Sequence, residues 1–431
     1  MLCRPFTVCA LLVVLLLPSH LRAQDEPAKK EINPADIAAT GDANEALAAY
    51  DDLMRTVMAK WKIPGGAIAV AKDGRLVFAR GYGLADREAN KPVAPDALFR
   101  IASISKPITA VTVLRLVEQG KINLDERVIA AIGPLEGPPG TKVDPRLDAI
   151  TVRQLLQHTG GWDRDKSFDA MFIPQKAAKE VGAPSPAEAT TVIRYMRGVP
   201  LDFDPGTKYA YSNLGYAILG RLIERRTGKP YAVAVEQEVL RPAGISRMKL
   251  GRTLKEFRAA DEVCYYHFDP EDRARCVFPY GRRRVQWPDG GFYLEAMDAH
   301  GGWIASAIDL VRFACAVENR GRSTGTPLLA NGSLKAMTAR PSPDVAEGKD
   351  VWYGLGWQVR RDGDGANWWH TGSLPGTATL LVRAHNGLAW AVLFNSRPED
   401  GGYRKAIDAG CWEAAASVKD WPKGDLFEKF K

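Results

Sequence analysis

Ile101-Ala102-Ser103-Ile104-Ser105-Lys106 sets a hydroxyl and an amine three residues apart at the head of an apolar run. In an α-helix positions i and i+3 share a face, so Lys106 lies one turn below Ser103 with its side chain running back toward the hydroxyl. A serine hydroxyl is a weak nucleophile until a neighbour takes its proton. An amine serves when burial or other cations lower its pKa. A helix N-terminus adds N–H groups that favour developing negative charge. Ile108, Val111, Val113, Leu114, Leu116 and Val117 cover more than one helical face, which predicts a central, buried helix closed by Gly120. Pro107 falls in the first turn, where no intrahelical N–H bond is lost. Ser-x-x-Lys also occurs by chance at ordinary helix starts, so the flanking sequence has to decide its meaning.

Working outward, Asp42 is placed to cap a helix, with Glu45 three residues on and Leu47, Tyr50, Met54, Val57 and Trp61 at helical spacing. Pro64-Gly65-Gly66 stops it, and Ala67–Ala71 and Leu76–Gly81 read as strands joined at Asp73-Gly74. Toward the C-terminus, Ala307–Glu318 reads as a helix and Tyr353–Val359 as an alternating strand. Asn367–Trp369 leads into His370-Thr371-Gly372, Thr379–Arg383 and Leu388–Phe394 flank a type I′ turn at Asn386-Gly387, and a last helix spans Tyr403–Val418. Between them the chain is helical and loopy, with a helix start at Ser185-Pro186-Ala187-Glu188 and a helix from Leu214 to Ile223 closed by Gly228. Strands at both ends and helices in the middle predict an α+β architecture: one antiparallel sheet built from residues 42–124 and 300–431 and flanked by helices, with 125–299 as an inserted, mainly helical domain. Within that insert, residues 260–293 carry Tyr265, Tyr266, Phe268, Phe278, Tyr280, Trp287, Phe292 and Tyr293, read either as a satellite core under a long loop or as a wall over a site.

The address and the charge narrow the classes. Of 431 residues 46% are hydrophobic and 25% charged, as in ordinary globular chains. Arg4, the apolar run Phe6–Leu17 and Leu21-Arg22-Ala23 read as a secretory signal over residues 1–23, with an uncleaved anchor as the alternative, and 24–41 as a flexible lead-in. The formal charge of +7 is modest. Arg282-Arg283-Arg284 is the one dense basic cluster, with no nucleic-acid module around it. It reads as a solvated loop or as a weak attractor of carboxylates and anionic cell-envelope polymers. Without Cys3 and Cys9, four cysteines remain. Cys264 and Cys276 are spaced to close a disulfide loop in an exported chain, while Cys315 and Cys411 lie in helical patterns and read as buried apolar groups. The histidines are scattered without an i, i+4 pair, so neither a metal nor another cofactor is expected.

Tyr211-Ser212-Asn213 and His370-Thr371-Gly372 complete an ordered set with Ser103-x-x-Lys106. This set resembles the serine β-lactamase and penicillin-binding DD-peptidase superfamily, in its class C-like branch with D-aminopeptidases and carboxylesterases. Leu155-Leu156-Gln157-His158-Thr159-Gly160-Gly161 and Gly301-Gly302-Trp303 are similar to further family signatures. The resemblance covers roughly residues 45–415 and implies a β-lactamase-like fold. It also implies that Ser103 is acylated and that Lys106 and Tyr211 share proton transfer, the base being undecided between them. Asn213 would bond the substrate amide or orient Lys106, and the N–H groups of Ser103 and Ser373 would form the oxyanion hole. His370, Thr371 and Gly372 would line the cleft and meet a substrate carboxylate or the tyrosine. A second His-Thr-Gly, at His158-Thr159-Gly160, follows a helical pattern and reads as a structural turn. Relatives with β-lactamase activity carry lysine at the position of His370, and a histidine is mostly neutral at pH 7. The expectation is therefore an exported hydrolase of small esters or D-amino-acid peptides, with a small-molecule or peptide substrate, no nucleic-acid partner and possible contact with the cell envelope. The alternatives are a β-lactamase or DD-carboxypeptidase, and a catalytically silent binding or assembly protein.

Overall fold

The two chain ends meet in one sheet. A computed structural model describes residues 32–279, 283–318, 327–343 and 345–430. The leader 1–23, the first part of the lead-in, Tyr280 and Arg282 lie outside the described residues. The sheet has nine antiparallel strands, eight of them in the spatial order Ala39–Thr40, Arg75–Asp86, Gly65–Lys72, Leu388–Phe394, Thr377–Arg383, Gly365–Leu374, Gln358–Asp362 and Val351–Tyr353. Lys91–Pro92 pairs with Arg75–Asp86 as the ninth. The join between the ends is the ladder from Leu388↔Lys72 to Phe394↔Gly66.

Alternation along these strands separates two apolar layers. Ala67, Ala69, Ala71, Leu381, Ala391 and Leu393 face the helix Ala307–Glu318, in the same apolar layer as the buried helix Ser105–Glu118 and the middle of the chain. Ile68, Val70, Val382, Trp390 and Val392 face the helices Ala48–Lys60 and Gly402–Ser417 on the other side. The 3-10 turn Ala102–Ile104 leads into Ser105–Glu118, whose residues from Ser105 to Leu114 are all buried. The mixed α/β architecture with an antiparallel sheet is the predicted class. The helices Ala307–Glu318 and Asn213–Thr227, the latter closed by Gly228 at φ +66°, also lie where periodicity put them.

Several local readings change. Asn44, not Asp42, caps the first helical segment, because that segment opens with a 3-10 turn at Glu45–Leu47; Asp42 instead accepts from Lys429 at 2.7 Å. The Tyr353–Val359 alternation is two strands broken at Gly354–Trp357, where Gly356 takes φ +89° and turns the chain out of its extended path. At Asn386-Gly387 only Gly387 has positive φ, so the turn is not type I′; the Asn386 side chain instead accepts from Leu388 N at 3.2 Å. The helix expected from Ser185 starts at Ala189 with Glu188 at its N-cap. Cys264 and Cys276 are not bonded: all four described cysteines are free, and the Cys264 thiol donates to Asp86 at 3.3 Å. Cys315 and Cys411 are buried, as their helical setting implied. The aromatic segment is divided. Tyr265 is buried beneath the loop and receives Arg100 N at 2.6 Å, while Phe292 joins Ala102, Leu294, Met297 and Leu374 in a small cluster beside Ser103. Among the described residues no helix is long and apolar enough to cross a membrane, and no group of metal-ligating side chains gathers.

Candidate active site

The site forms where the Ala102–Ile104 turn meets the strand Gly365–Leu374. Ala102 adopts φ +48°, unusual for a residue with a Cβ. That turn aims Ser103 into a cleft while the helix behind it is fixed by packing. Gly372 is required by the close approach: a Cβ there would run into the Ile101 carbonyl oxygen and Thr379 Oγ1, which already bond each other at 3.0 Å. Ser103 and Tyr211 are half-buried, and Lys106 beneath them is fully buried.

Lys106 Nζ is the hub. It lies 3.1 Å from Ser103 Oγ, 2.7 Å from Asn213 Oδ1 and 2.9 Å from the His300 carbonyl oxygen. Asn213 Nδ2 donates to Asp169 Oδ2 at 2.6 Å. A carboxylate only accepts, so Asp169 fixes the Asn213 amide with its oxygen toward Lys106. Two acceptors that cannot donate thus hold two amine hydrogens, and the third direction points at the Ser103 hydroxyl. Burial drives the Lys106 pKa well below the usual lysine range; Asp169 opposes the shift and Arg164 adds to it.

Tyr211 lies over this hub, with the Lys106 ammonium position 4.7 Å from its ring centre and the Arg164 guanidinium 4.5 Å away on the exposed side. Burial raises the Tyr211 pKa, against a hydrogen bond with Ser103 and the charge of Arg164. The phenol is therefore protonated at neutral pH. His158 packs on Tyr211 at 4.3 Å between ring centres and accepts from Ser212 N at 3.2 Å. Its backbone makes the expected turn, at φ +58°, and its ring props up the tyrosine as well.

His370 is brought within 6.5 Å of the Tyr211 ring, yet only 2% of it is exposed. Its Nδ1 must donate to the Thr371 carbonyl at 2.7 Å, which leaves Nε2 to accept from Tyr353 OH at 2.9 Å. Both nitrogens are committed, and burial, reinforced by the Lys106 charge, pushes its pKa down to about 3. His370 therefore lies beneath the cleft as a neutral support and does not reach into it. Thr371 is exposed, with its side chain on the opposite face of the strand near Tyr403 and Arg404. Ser373 Oγ accepts from Arg397 at 3.3 Å and from Arg404 at 3.4 Å. Leu374 pairs with Thr377 across a two-residue turn, so hydrogen-bonded pairs alternate from there; the Ser373 amide turns away from Thr377–Arg383, toward the edge left free where Gln358–Asp362 stops pairing at Trp369.

Seven of the eight sequence-identified residues are thus gathered around the cleft, with Lys106, Asn213 and His370 behind its surface, while the Thr371 side chain lies on the other face of its strand. Asp169, Arg164, Tyr353 and the His300 carbonyl escape sequence reading. Arg164 and Asp169 lie in a loop, Tyr353 ends an edge strand and His300 acts through its main chain, and no spacing pattern announces them. A cavity of about 980 Å³ lies elsewhere, between the N-terminal segment and the insert, lined among others by Trp61, Arg87, Lys255 and Tyr266.

Comparison with known proteins gives a consistent result. The family model described as Beta-lactamase matches residues 50–410. The chain is 28% identical over 359 residues to an N-acetylmuramyl-L-alanine amidase of Bacillus subtilis (strain 168), covering 78% of this chain and 77% of the relative. It is 33% identical over 205 residues to esterase EstB of Burkholderia gladioli, covering 47% of this chain and 51% of that one. The solved D-amino acid amidase of Ochrobactrum anthropi SV3 shares the fold, with TM-score 0.63 at 23% identity over 87% of this chain and 99% of that one.

Proposed function

The chain belongs to the β-lactamase family and is a hydrolase of its serine-dependent type, and from that premise we propose that it cleaves ester or amide bonds through a Ser103 acyl-enzyme. The observation that carries this is the Lys106 amine, buried, held by two pure acceptors and directed at Ser103 Oγ. In its uncharged form that amine has a lone pair facing the hydroxyl. It takes the Ser103 proton as Oγ bonds to the substrate carbonyl carbon. The N–H groups of Ser103 and Ser373 receive the oxyanion. Tyr211, a phenol rather than a phenolate, passes its proton to the leaving oxygen or nitrogen and regains one from Lys106. Water then attacks the acyl carbon and the same groups return the protons in reverse. This assigns the first proton abstraction to Lys106, because the raised Tyr211 pKa disfavours the tyrosine as the base.

For the substrate, an ester or a D-amino-acid peptide is the reading the cleft supports. Neutral His370 supplies no fixed cation, so β-lactam turnover is expected to be weak. Arg397 and Arg404, converging on Ser373, favour a substrate with a carboxylate on that side over a plain ester. The leader over residues 1–23 supports export of the protein. The deciding experiment is hydrolysis of p-nitrophenyl butyrate by the mature protein beside Ser103→Ala. Turnover lost by about 10³-fold or more in the variant is expected; equal rates would overturn the proposal.

A further inference from the structure

The hairpin formed by Arg273–Arg275 and Arg284–Gln286 carries a charge arrangement that its folding opposes. Its register sets Ala274 against Val285, both buried, and Arg275 directly against Arg284, both exposed. Like charges directly opposite on paired strands are destabilising. No carboxylate among the described residues lies within ion-pair reach of either arginine, and the Arg284 guanidinium donates instead to the uncharged carbonyl of Arg273.

The exposed face lines a groove of about 770 Å³, whose other wall is Phe172, Ile173 and the helix Pro174–Val181. Lys176, Arg273, Arg275 and Arg284 line it against the single carboxylate of Asp272, itself occupied by Trp287 Nε1 at 3.0 Å. The Phe172 wall of the groove leads toward the catalytic cleft. Phe172 belongs to the turn capped by Asp169, the partner of Asn213, and its ring lies 6.5 Å from Phe292, which packs with Ala102 beside Ser103.

We infer that this groove is an extended subsite for an acidic peptide, the arm of the substrate that runs away from the scissile bond with carboxylates spaced along it. The inference rests on the hydrolase reading and names its substrate class. One exposed ion pair contributes little, but several cations along one concave wall add, and they attract the ligand before it docks. Phe172 and Trp287 offer rings against which the peptide stem can pack. An acidic occupant also removes the Arg275–Arg284 repulsion, which no group of the described chain relieves.

The test uses binding, so it does not depend on turnover. The full mature protein carrying Ser103→Ala is titrated into a fluorescein-labelled hexapeptide with three glutamates, and into its glutamine counterpart, at 50 and 500 mM NaCl. The acidic peptide is expected to bind about tenfold tighter at low salt, with most of that preference lost at high salt. Adding Arg275→Gln and Arg284→Gln is expected to erase the preference while thermal stability stays level or rises, because the opposed charges are gone. Equal affinity for the two peptides, or a preference that survives the double substitution, would overturn the inference. Displacement of the acidic peptide by short-chain polyphosphate as readily as by unlabelled peptide would also overturn it. Ester turnover by the wild-type protein separately decides the hydrolase reading.

Discussion

One carboxylate positions the partner of the amine at the centre of this site and opposes the shift that burial imposes on it. Asp169 orients Asn213, and Asn213 presents its oxygen to Lys106. Asp169 also favours the charged amine electrostatically. Asp169→Asn is therefore expected to lower kcat/KM about tenfold, the scale of one charge-assisted hydrogen bond. It should also move the acid limb of the pH–rate profile to lower pH, because the neutral amine is then reached sooner. A profile unchanged in position would show that Asp169 acts on shape alone. Lys106→Ala removes the proposed proton acceptor and is expected to cost about 10³-fold or more in kcat, read in the same assay. Gly372→Ala is a steric probe: the methyl meets the Ile101 carbonyl, the strand and the nucleophile turn separate, and kcat falls while KM changes less.

At the scale of elements, the site depends on how the helix Ser105–Glu118 is fixed to the loop before Trp303. Thr109 Oγ1 contacts Tyr231 OH and the Ala299 carbonyl, both at 2.6 Å. Ala299 is followed by His300, whose own carbonyl holds Lys106. Thr109→Val keeps the shape but leaves both partners short of a bond in a dry interior. It is expected to destabilise the protein by about 1–3 kcal/mol, measured by urea denaturation. It should also lower kcat, since the His300 carbonyl loses its tether. Loss of stability with unchanged kcat would mean that the loop is held elsewhere.

For the molecule as a whole, acid is the sensitive direction. His158, His300 and His370 are buried and held neutral, their pKa values lowered chiefly by desolvation and further by Lys106. Unfolded, each would titrate near 6.5. Below that value the unfolded chain binds protons that the folded chain refuses, so stability present above pH 6.5 is lost as the pH falls. Each histidine contributes a slope of about 1.4 kcal/mol per pH unit between pH 6.5 and its folded value. Urea midpoints measured from pH 7 to pH 5 should fall steeply, and His370→Gln should make that fall about one third shallower. A flat stability profile over this range would show that these rings are hydrated in solution.

The sequence by itself determined the sheet's origin in both chain ends, the buried helix at Ser105–Glu118 and the ordered triplet of motifs. Alternation and helical periodicity are local records of which face meets the core, and an i, i+3 pair on a helix is close whatever else the chain does. The same local logic misplaced the Asp42 cap, the Tyr353–Val359 strand and the Asn386-Gly387 turn, where one residue's φ or an alternative hydrogen bond settles the geometry. Only the tertiary structure decided what surrounds Lys106. Asp169, Asn213 and the His300 carbonyl are 44 to 131 residues apart in sequence by their numbering, and no periodic pattern connects them. It also decided the setting of His370: the residue type suggested a group facing substrate, and the folded chain buries the ring with both nitrogens bonded. Proximity across distant loops and the loss of water around a titratable group belong to the folded packing, and a linear sequence carries neither.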